Sequence, residues 1–303
     1  MGPTASGKSS LAAEIARYFP VEILSVDSAQ VYRYMNIGSA KPDKSIRAAI
    51  PHHLIDLIDP DEHYSAARFR EDALSTMHEI TTRGNIPLLV GGTMLYFKVL
   101  QRGLASMPSA DNDIRKELEQ IAREQGWPAM HAVLSQLDPV AAGRIQLNDS
   151  QRIQRALEVY YLTGRPMSEL LAQQQDDNFP YRICNIALLP SDRSVLHERI
   201  RQRFERMLEI GLIDEVRFIR DQFAITIDTP SMKCVGYRQV NMYLDDQISL
   251  TKMREMGVFA TRQLAKRQLT WLRSMRELQV FDCLASDLSG LVIAYLQERG
   301  ISP

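Results

Sequence analysis

Short apolar runs alternate with longer amphipathic stretches along the first third of the chain. This pattern predicts buried strands in VEILSVD (21–27), HLIDLID (53–59) and IPLLV (86–90), and helices over residues 9–19 and 66–83. Strands separated by helices of this length are typical of a parallel sheet with helices on its faces. We therefore predict an α/β fold for this part of the chain.

The strand pattern stops near residue 102 and returns near residue 183. Between these points PSADNDIRKELEQIAREQG and NDSQRIQRALEVYYLTGRP combine helix-capping residues with helical periodicity, so residues 102–182 are predicted to form an all-helical insertion domain. The core is expected to comprise residues 1–101 and 183–303, with a strand in CNIALLP (184–190) and long helices over 194–210 and 252–276. In the last of these helices Ala260, Leu264 and Trp271 share one face, where the aromatic position is expected in the core.

The stretch GPTASGKS at the start of the chain fits the phosphate-binding P-loop pattern. Its glycines let successive N–H groups point at phosphate oxygens, Lys8 supplies a mobile positive charge, and the Ser9 hydroxyl is a candidate Mg²⁺ ligand. The residues predicted to hold phosphate are Gly2, Pro3, Thr4, Ala5, Ser6, Gly7, Lys8 and Ser9. The expected fold is a P-loop NTPase-like parallel sheet flanked by helices. Because a P-loop follows a buried strand, we also expect native residues before Met1.

The composition narrows the class of protein. The 303 residues are 45% hydrophobic and 24% charged with a formal net charge of −1, which is typical of a soluble globular protein, so a nucleic-acid site must be a local basic patch. Cys184, Cys234 and Cys283 are isolated and fit neither a metal site nor a disulfide framework, as in a reducing cytoplasm. No apolar run is long enough to cross a bilayer. We expect a cytoplasmic protein that has no membrane partner.

Polar residues follow two of the predicted strands, beside the expected phosphate site. Asp27 can act as a general base, hold Mg²⁺ through water, or cap a turn. Thr93, after Gly91 and Gly92, can donate to a phosphate oxygen or belong to a turn of small residues. P-loop ATPases often place an acidic Mg²⁺ ligand at this point, and here the weaker candidates for that task are Asp56 and Asp59.

Basic residues form further groups along the chain. Arg199, Arg203 and Arg206 lie along one side of the helix predicted at 194–210, where they can clamp phosphate or pair with neighbouring glutamates. QRIQR (151–155), KCVGYR (233–238) and the basic face of the last long helix offer cationic and amide groups for phosphate and base-edge contacts. Taken together they are a candidate RNA-binding set.

Several of these stretches, in order, resemble one family. GPTASGKS, VDSAQVYR, IGSAKP, PHHLID, YSAARFR, LLVGGTMLYF, QRIQRALEV, CVGYRQ and TRQLAKRQLTWLR are similar in sequence and spacing to the bacterial tRNA dimethylallyltransferase (tRNA isopentenyltransferase) family. The resemblance covers nearly the whole chain and weakens after Asp282. It implies transfer of a dimethylallyl group from dimethylallyl diphosphate to the exocyclic N6 amine of the adenosine adjacent to the tRNA anticodon, with release of diphosphate.

The resemblance also implies roles for individual residues. The loop from Gly2 to Ser9 would hold the diphosphate, with Mg²⁺ on Ser9, Asp27 would be the general base, and Thr93 and Arg203 would stabilise the departing diphosphate. Contacts to the tRNA anticodon stem-loop are implied for Asp27, Ser28, Ala29, Gln30, Thr93, Arg115, Gln151, Arg152, Ile153, Gln154, Arg155, Lys233, Cys234, Val235, Gly236, Tyr237 and Arg238. The helical insertion would clamp that stem-loop. No stable protein partner is implied.

Two other functions are compatible with parts of the sequence. A P-loop small-molecule kinase that uses ATP would also explain the phosphate loop. A non-catalytic RNA-binding module would explain the basic groups but would give the P-loop and Asp27 no purpose. A kinase should bind ATP–Mg²⁺ tightly and should not bind dimethylallyl diphosphate. A binding measurement with the two ligands therefore separates the kinase from the prenyltransferase.

Overall fold

A computed structural model describes residues 1–105, 107–173, 179–275 and 277–301. The chain divides into two compact units. The first combines Met1–Leu100 with the chain from Pro180 onward, and the second is Gln101–Phe179. The insertion expected from the sequence spans residues 102–182.

Strands and helices alternate through the first part of the chain, as the periodicity predicts. They are α1 (Lys8–Ile15), β1 (Val21–Val26), α2 (Lys44–Ala49), β2 (His52–His53), α3 (Ala66–Thr82), β3 (Ile86–Gly91) and α4 (Met94–Arg102). β2, β1 and β3 form a parallel sheet in that order, with Ile23 opposite both His52 and Leu88. Residues 22–26 of β1 are all buried, Glu22 and Ser25 included, so both faces of the strand are covered rather than one. The predicted α/β fold with a parallel sheet is confirmed.

The strand predicted over residues 53–59 is wrong. β2 ends at His53, and only an isolated bridge between Tyr32 and Ile58 follows it. Leu54 and Asp56 have φ values of 60° and 59°, which interrupt an extended backbone. The alternating pattern instead reflects an irregular segment that buries the side chains of Leu54 and Ile58.

The described part of the second unit is built from helices. They are α5 (Asn112–Gln125), α6 (Trp127–Leu137), α7 (Pro139–Ala142), α8 (Ser150–Thr163) and α9 (Met167–Ala172). Asp111 and Asp149 begin α5 and α8 by accepting hydrogen bonds from N–H groups of the first turn. Leu118, Leu134 and Leu157 lie in a single apolar core that these helices share.

The last part of the chain returns to the first unit. Its elements are β4 (Ile186–Leu189), α10 (Arg193–Glu209), α11 (Leu212–Gln222), a 3-10 helix (Pro230–Lys233), α12 (Tyr237–Leu244), α13 (Leu250–Ser274), β5 (Gln279–Asp282) and α14 (Leu288–Glu298). β4 and β5 pair in parallel. Met1 lies beside β4, because its nitrogen donates to the Ile186 carbonyl and the Leu188 N–H donates to the Met1 carbonyl. The phosphate loop therefore starts from the edge of this strand.

The buried face of α13 differs from the predicted one. Trp271 is 36% exposed, whereas Ala265, Gln268 and Leu272 are buried, because α13 packs against α10 and α12. The core position predicted for Trp271 is therefore wrong, and the predicted helix end at residue 276 lies outside the described residues. Sequence patterning does not predict β5 and α14. In the part of the chain that the structure describes, no helix combines the length and apolar character needed to cross a membrane.

Candidate active site

A large open cavity of about 1630 Å³ lies in the first unit. The predicted site residues that line it are Thr4, Ala5, Ser6, Gly7, Lys8, Ser9, Asp27, Ser28, Ala29, Gln30, Thr93, Arg203, Lys233, Cys234 and Val235. The phosphate loop, the residues that follow β1 and β3, and one side of α10 thus face the same space. Ligands of open α/β sheets bind at the carboxyl ends of the strands, where this cavity lies.

The phosphate loop is shaped to receive an anion. Ala5 and Gly7 adopt left-handed backbone conformations, with φ values of 63° and 81°. Gly7 is the N-cap of α1 and supplies no side-chain cap, so the first N–H groups of the helix are free to bind a ligand. The Ser6 hydroxyl is buried and has no partner among the described residues, a group that a phosphate oxygen would satisfy.

Burial and neighbouring charges lower the pKa of both Lys8 and Arg203. Burial, followed by the nearby charge of Arg203, lowers the pKa of Lys8 to about 8, and Asp27 opposes this shift. Burial also lowers the pKa of Arg203, again against the influence of Asp27. The Lys8 ammonium donates to the Pro3 carbonyl at 2.6 Å. Two partly buried cations that face one cavity repel each other unless an anion joins them, so the site favours a phosphorylated ligand.

Asp27 and Thr93 are placed by the ends of neighbouring strands. Asp27 Oδ1 accepts hydrogen bonds from the N–H groups of Ala29 at 2.9 Å and Gln30 at 3.4 Å, so Asp27 does cap a turn. Its Oδ2 has no hydrogen-bond partner within the described ranges and can still accept a proton. The Ser28 N–H donates to Thr93 Oγ1 at 3.0 Å, which joins the two strand ends.

The residues present fit a magnesium ion that is bound mainly by the oxygens of a bound diphosphate and by water. Ser9 is exposed in the first turn of α1, and its hydroxyl has no hydrogen-bond partner in the described part of the chain. The same residues contain no group of three or more His, Cys, Asp or Glu side chains that could hold a metal. Mg²⁺ often binds through few protein ligands together with phosphate oxygens and water. Ser9 is therefore a suitable ligand beside a bound diphosphate.

Asp56 and Asp59, the weaker candidates for a metal ligand, are engaged in ion pairs. Asp56 contacts Lys41 and Arg47 at 2.6 Å each, and Asp59 contacts Arg33 at 3.0 Å. Each carboxylate is thus neutralised by a neighbouring cation, which leaves Ser9 as the better candidate.

A family model described as IPP transferase matches residues 30–275. The chain belongs to this family. Curated relatives named tRNA dimethylallyltransferase extend the similarity through the phosphate loop. The Nitrosomonas eutropha protein is 75% identical over 301 residues, which is 99% of this chain and 95% of the relative. The Nitrosomonas europaea protein is 73% identical over 299 residues, 99% of this chain and 94% of the relative. The resemblance inferred from the motifs is confirmed.

Solved structures of similar proteins share the fold of this IPP transferase. The tRNA isopentenylpyrophosphate transferase from Bacillus halodurans is 36% identical and has a TM-score of 0.70. The match covers 99% of this chain and 96% of that chain. A eukaryotic dimethylallyltransferase solved in snapshots of its action on tRNA is 27% identical with a TM-score of 0.81, covering 100% of this chain and 79% of that chain.

Some residues for which the resemblance implies RNA contacts are buried. Tyr237 is fully buried, and its hydroxyl donates to Glu215 at 2.6 Å. Ile153 is fully buried in the core of the second unit. Their side chains are not accessible to a macromolecule, so a contact of either residue with RNA would have to use the backbone. The two assignments stay predictions. Gly236 is also buried, at a backbone φ of 92°.

The other assigned residues of the second unit are partly engaged with their own neighbours. Arg115 and Arg155 pair with the fully buried Glu158 at 2.8 and 2.6 Å, while Gln154 contacts Glu119 at 3.1 Å. Gln151 and Arg152 are exposed on α8, as is Arg238 in the first unit. The exposed side chains are the ones whose position suits contact with RNA.

Sequence reasoning missed two side chains that organise the cavity. Glu215 accepts hydrogen bonds from the backbone of residues 36–38, and Gln268 bonds both Thr4 and Gly92. The motif TRQLAKRQLTWLR contains a usable signal for Gln268. It shares a helix face with the apolar residues Ala265 and Leu272, and a polar side chain within an apolar stripe normally has a buried partner.

Proposed function

We propose that this protein transfers a dimethylallyl group from dimethylallyl diphosphate to the N6 amine of an adenosine adjacent to the anticodon of tRNA. The observation that carries the proposal is that the phosphate loop, Asp27, Thr93 and Arg203 line one cavity. Membership of the IPP transferase family and the names of relatives 75% and 73% identical support tRNA prenylation. A P-loop kinase is not favoured.

The proposed step exchanges a C1–O bond for a C1–N bond and moves one proton from N6 to Asp27. The adenine N6 attacks C1 of the dimethylallyl group, the C1–O bond breaks, and its electron pair leaves with the diphosphate. Adenine N6 is too weak an acid to be deprotonated first, so its proton passes to Asp27 Oδ2 as the N–C bond forms and the nitrogen becomes cationic.

The leaving group gains negative charge in this step, and this chain aims positive groups at it. Lys8, Arg203, the Thr93 hydroxyl and the first N–H groups of α1 would stabilise the diphosphate oxygens, more strongly in the transition state than in the ground state. Mg²⁺ bound at Ser9 would supply further positive charge to the diphosphate. Because no γ-phosphate is cleaved, no acidic residue is needed where β3 ends at Gly91 and continues into Gly92 and Thr93.

The target base must reach Asp27 from the anticodon loop. Unstacking a loop base costs about a few kcal/mol, which contacts to the RNA backbone can offset. We assign these contacts to exposed or cavity-lining residues, among them Arg152, Lys233 and Arg238, with an affinity that falls as the salt concentration rises. A cytoplasmic location, consistent with the unpaired Cys184, Cys234 and Cys283, is part of the proposal.

Isothermal titration with dimethylallyl diphosphate and with ATP, each with Mg²⁺, tests the proposal. We expect the diphosphate to bind, and Lys8→Ala to weaken its binding by at least ~10-fold, because a charged hydrogen-bond donor that faces the phosphate is lost. Lys98→Ala, an exposed lysine of α4, is the matched control and should bind as the wild type does. Tight binding of ATP without binding of dimethylallyl diphosphate would support the kinase instead.

A further inference from the structure

The side chain of Gln268 connects two loops of the cavity. It lies on α13 with 7% exposure, its Oε1 accepts a hydrogen bond from the Thr4 N–H at 2.8 Å, and its Nε2 donates to the Gly92 carbonyl at 2.9 Å. Thr4 belongs to the phosphate loop, and Gly92 immediately precedes Thr93. One amide therefore contacts both loops that carry proposed ligands of the diphosphate.

The packing around Gly92 shows how close this contact is. A Cβ atom at Gly92 would collide with Gln268 Nε2 and would lie 3.4 Å from the Gly2 carbonyl oxygen. A Cβ at Gly91 would likewise collide with the backbone of Val26. The two glycines before Thr93 thus let the backbone approach β1 on one side and Gln268 on the other.

The chemistry of the contact requires an amide. Oε1 must accept from an N–H and Nε2 must donate to a carbonyl, and glutamine offers both functions on a side chain of this length. Glutamate would keep the acceptor for Thr4 but would place a carboxylate oxygen against the Gly92 carbonyl. Leucine would have similar bulk and neither function. These two substitutions therefore separate the polar contacts of Gln268 from its volume.

We propose that Gln268 is a positioning residue, which holds the phosphate loop and Thr93 at the separation that the diphosphate leaving group requires. The inference rests on the proposed function and deepens it. Thr93 Oγ1 is itself bonded to the Ser28 N–H at 3.0 Å, so a shift of residue 92 is transmitted to the groups around Asp27. A misplacement of about 1 Å near reacting groups can cost about 100-fold in rate.

The first test compares Gln268→Glu and Gln268→Leu with the wild type. Inorganic diphosphate with Mg²⁺ is the probe, and its inhibition constant against the transfer reaction is measured. For each variant we also measure the KM for dimethylallyl diphosphate, kcat, the Kd for tRNA and the thermal midpoint of unfolding. We expect the inhibition constant and the KM to rise by at least ~10-fold and kcat to fall by about 100-fold, with tRNA affinity unchanged. Gln263→Leu, a partly exposed amide on the same helix, is the control and should match the wild type.

A second test uses the collision at Gly92. Gly92→Ala should displace the amide and weaken diphosphate binding, whereas Gly92→Ala combined with Gln268→Ala should behave no worse than Gln268→Ala alone, because the truncated side chain leaves room for the new methyl group. Additive losses would contradict the proposed contact. This cycle also decides the question if Gln268→Leu proves too unstable to assay.

The outcomes separate this inference from the function on which it rests. Gln268 variants that bind diphosphate as tightly as the wild type overturn the inference, even if their thermal midpoint falls, because a merely structural glutamine would behave in this way. A wild-type protein that neither binds diphosphate nor alkylates tRNA overturns the proposed function itself.

Discussion

The hydroxyl of Tyr237 donates a hydrogen bond of 2.6 Å to the carboxylate of Glu215. The same carboxylate accepts hydrogen bonds from the N–H groups of Asn36, Ile37 and Gly38 at 2.9, 2.7 and 3.2 Å. Residues 36–38 line the cavity, as do residues 233–235 just before Tyr237. One side chain of α11 therefore fixes two segments of the cavity wall that are far apart in sequence.

Replacement of Glu215 should loosen this wall. We expect Glu215→Ala to lower the free energy of unfolding by about 1–3 kcal/mol, because three backbone donors and the buried Tyr237 hydroxyl lose a charged acceptor. Hydrogen exchange should become faster at the amides of residues 36–38. Asp214→Ala is the control, since that exposed carboxylate contacts only its neighbour Arg217 among the ion pairs described for it. Unchanged exchange at residues 36–38 would count against the anchoring role.

Arg203 should affect the chemical step more than RNA binding. We expect Arg203→Ala to reduce the single-turnover rate by about 100- to 1000-fold, because a positive charge aimed at the leaving diphosphate is lost. The tRNA dissociation constant should change little. Arg201→Ala, which removes an exposed arginine paired with Glu198 on the same helix, should leave both quantities unchanged. A loss of tRNA affinity with a normal chemical rate would make Arg203 a docking residue instead.

Glu22 should make the free energy of unfolding fall as the pH becomes acidic. It is buried in β1 and accepts hydrogen bonds from Arg83 at 3.0 and 2.8 Å and from Asn85 at 2.8 Å. These bonds, those of Arg83 first, lower the pKa of Glu22 from 4.5 to about 2. Because the native pKa lies below the unfolded one, the stabilisation is complete above pH 4.5 and is lost as the pH falls toward 2.

Urea unfolding of the wild type and Glu22→Gln at several pH values measures this contribution. The difference in unfolding free energy between the two proteins should be about 1–3 kcal/mol at pH 7 and should shrink below pH 4.5. Glu14→Gln, which changes a half-exposed carboxylate of α1, should show no such pH-dependent difference. A difference that is constant down to the lowest pH would contradict the ionised state of Glu22.

Local patterns predicted the parts of the fold that local forces determine. The phosphate loop, β1, β3 and the capped helices of the second unit follow from glycine placement, apolar runs and capping aspartates close together in sequence. The error at residues 53–59 has a different origin. Leu54 and Ile58 are buried as in a strand, but the backbone is left-handed at Leu54 and Asp56, and Asp56 pairs with Lys41 and Arg47, partners that the local pattern does not display.

The candidate site was predictable where motifs define it and not where distant residues support it. Asp27 and Thr93 follow strands, so their position at one edge of the sheet was expected. Gln268 bonds a residue 264 positions away and Glu215 one that is 178 positions away, distances over which pattern alone identifies no partner. Tyr237 is likewise buried, with its hydroxyl bonded to Glu215, and neither fact could be read from the motif KCVGYR.

The central claim is that Asp27 accepts a proton from adenine N6 while the dimethylallyl group is transferred to that nitrogen. Asp27→Asn tests this directly, because asparagine keeps an oxygen that can accept from Ala29 and Gln30 but loses the basic carboxylate. The measurement is single-turnover transfer of labelled dimethylallyl diphosphate to unmodified tRNA, with mass spectrometry of the released nucleosides. The account predicts N6-dimethylallyl adenosine with the wild type and a rate at least ~100-fold lower with Asp27→Asn, at unchanged tRNA affinity. A variant that turns over at the wild-type rate would contradict it.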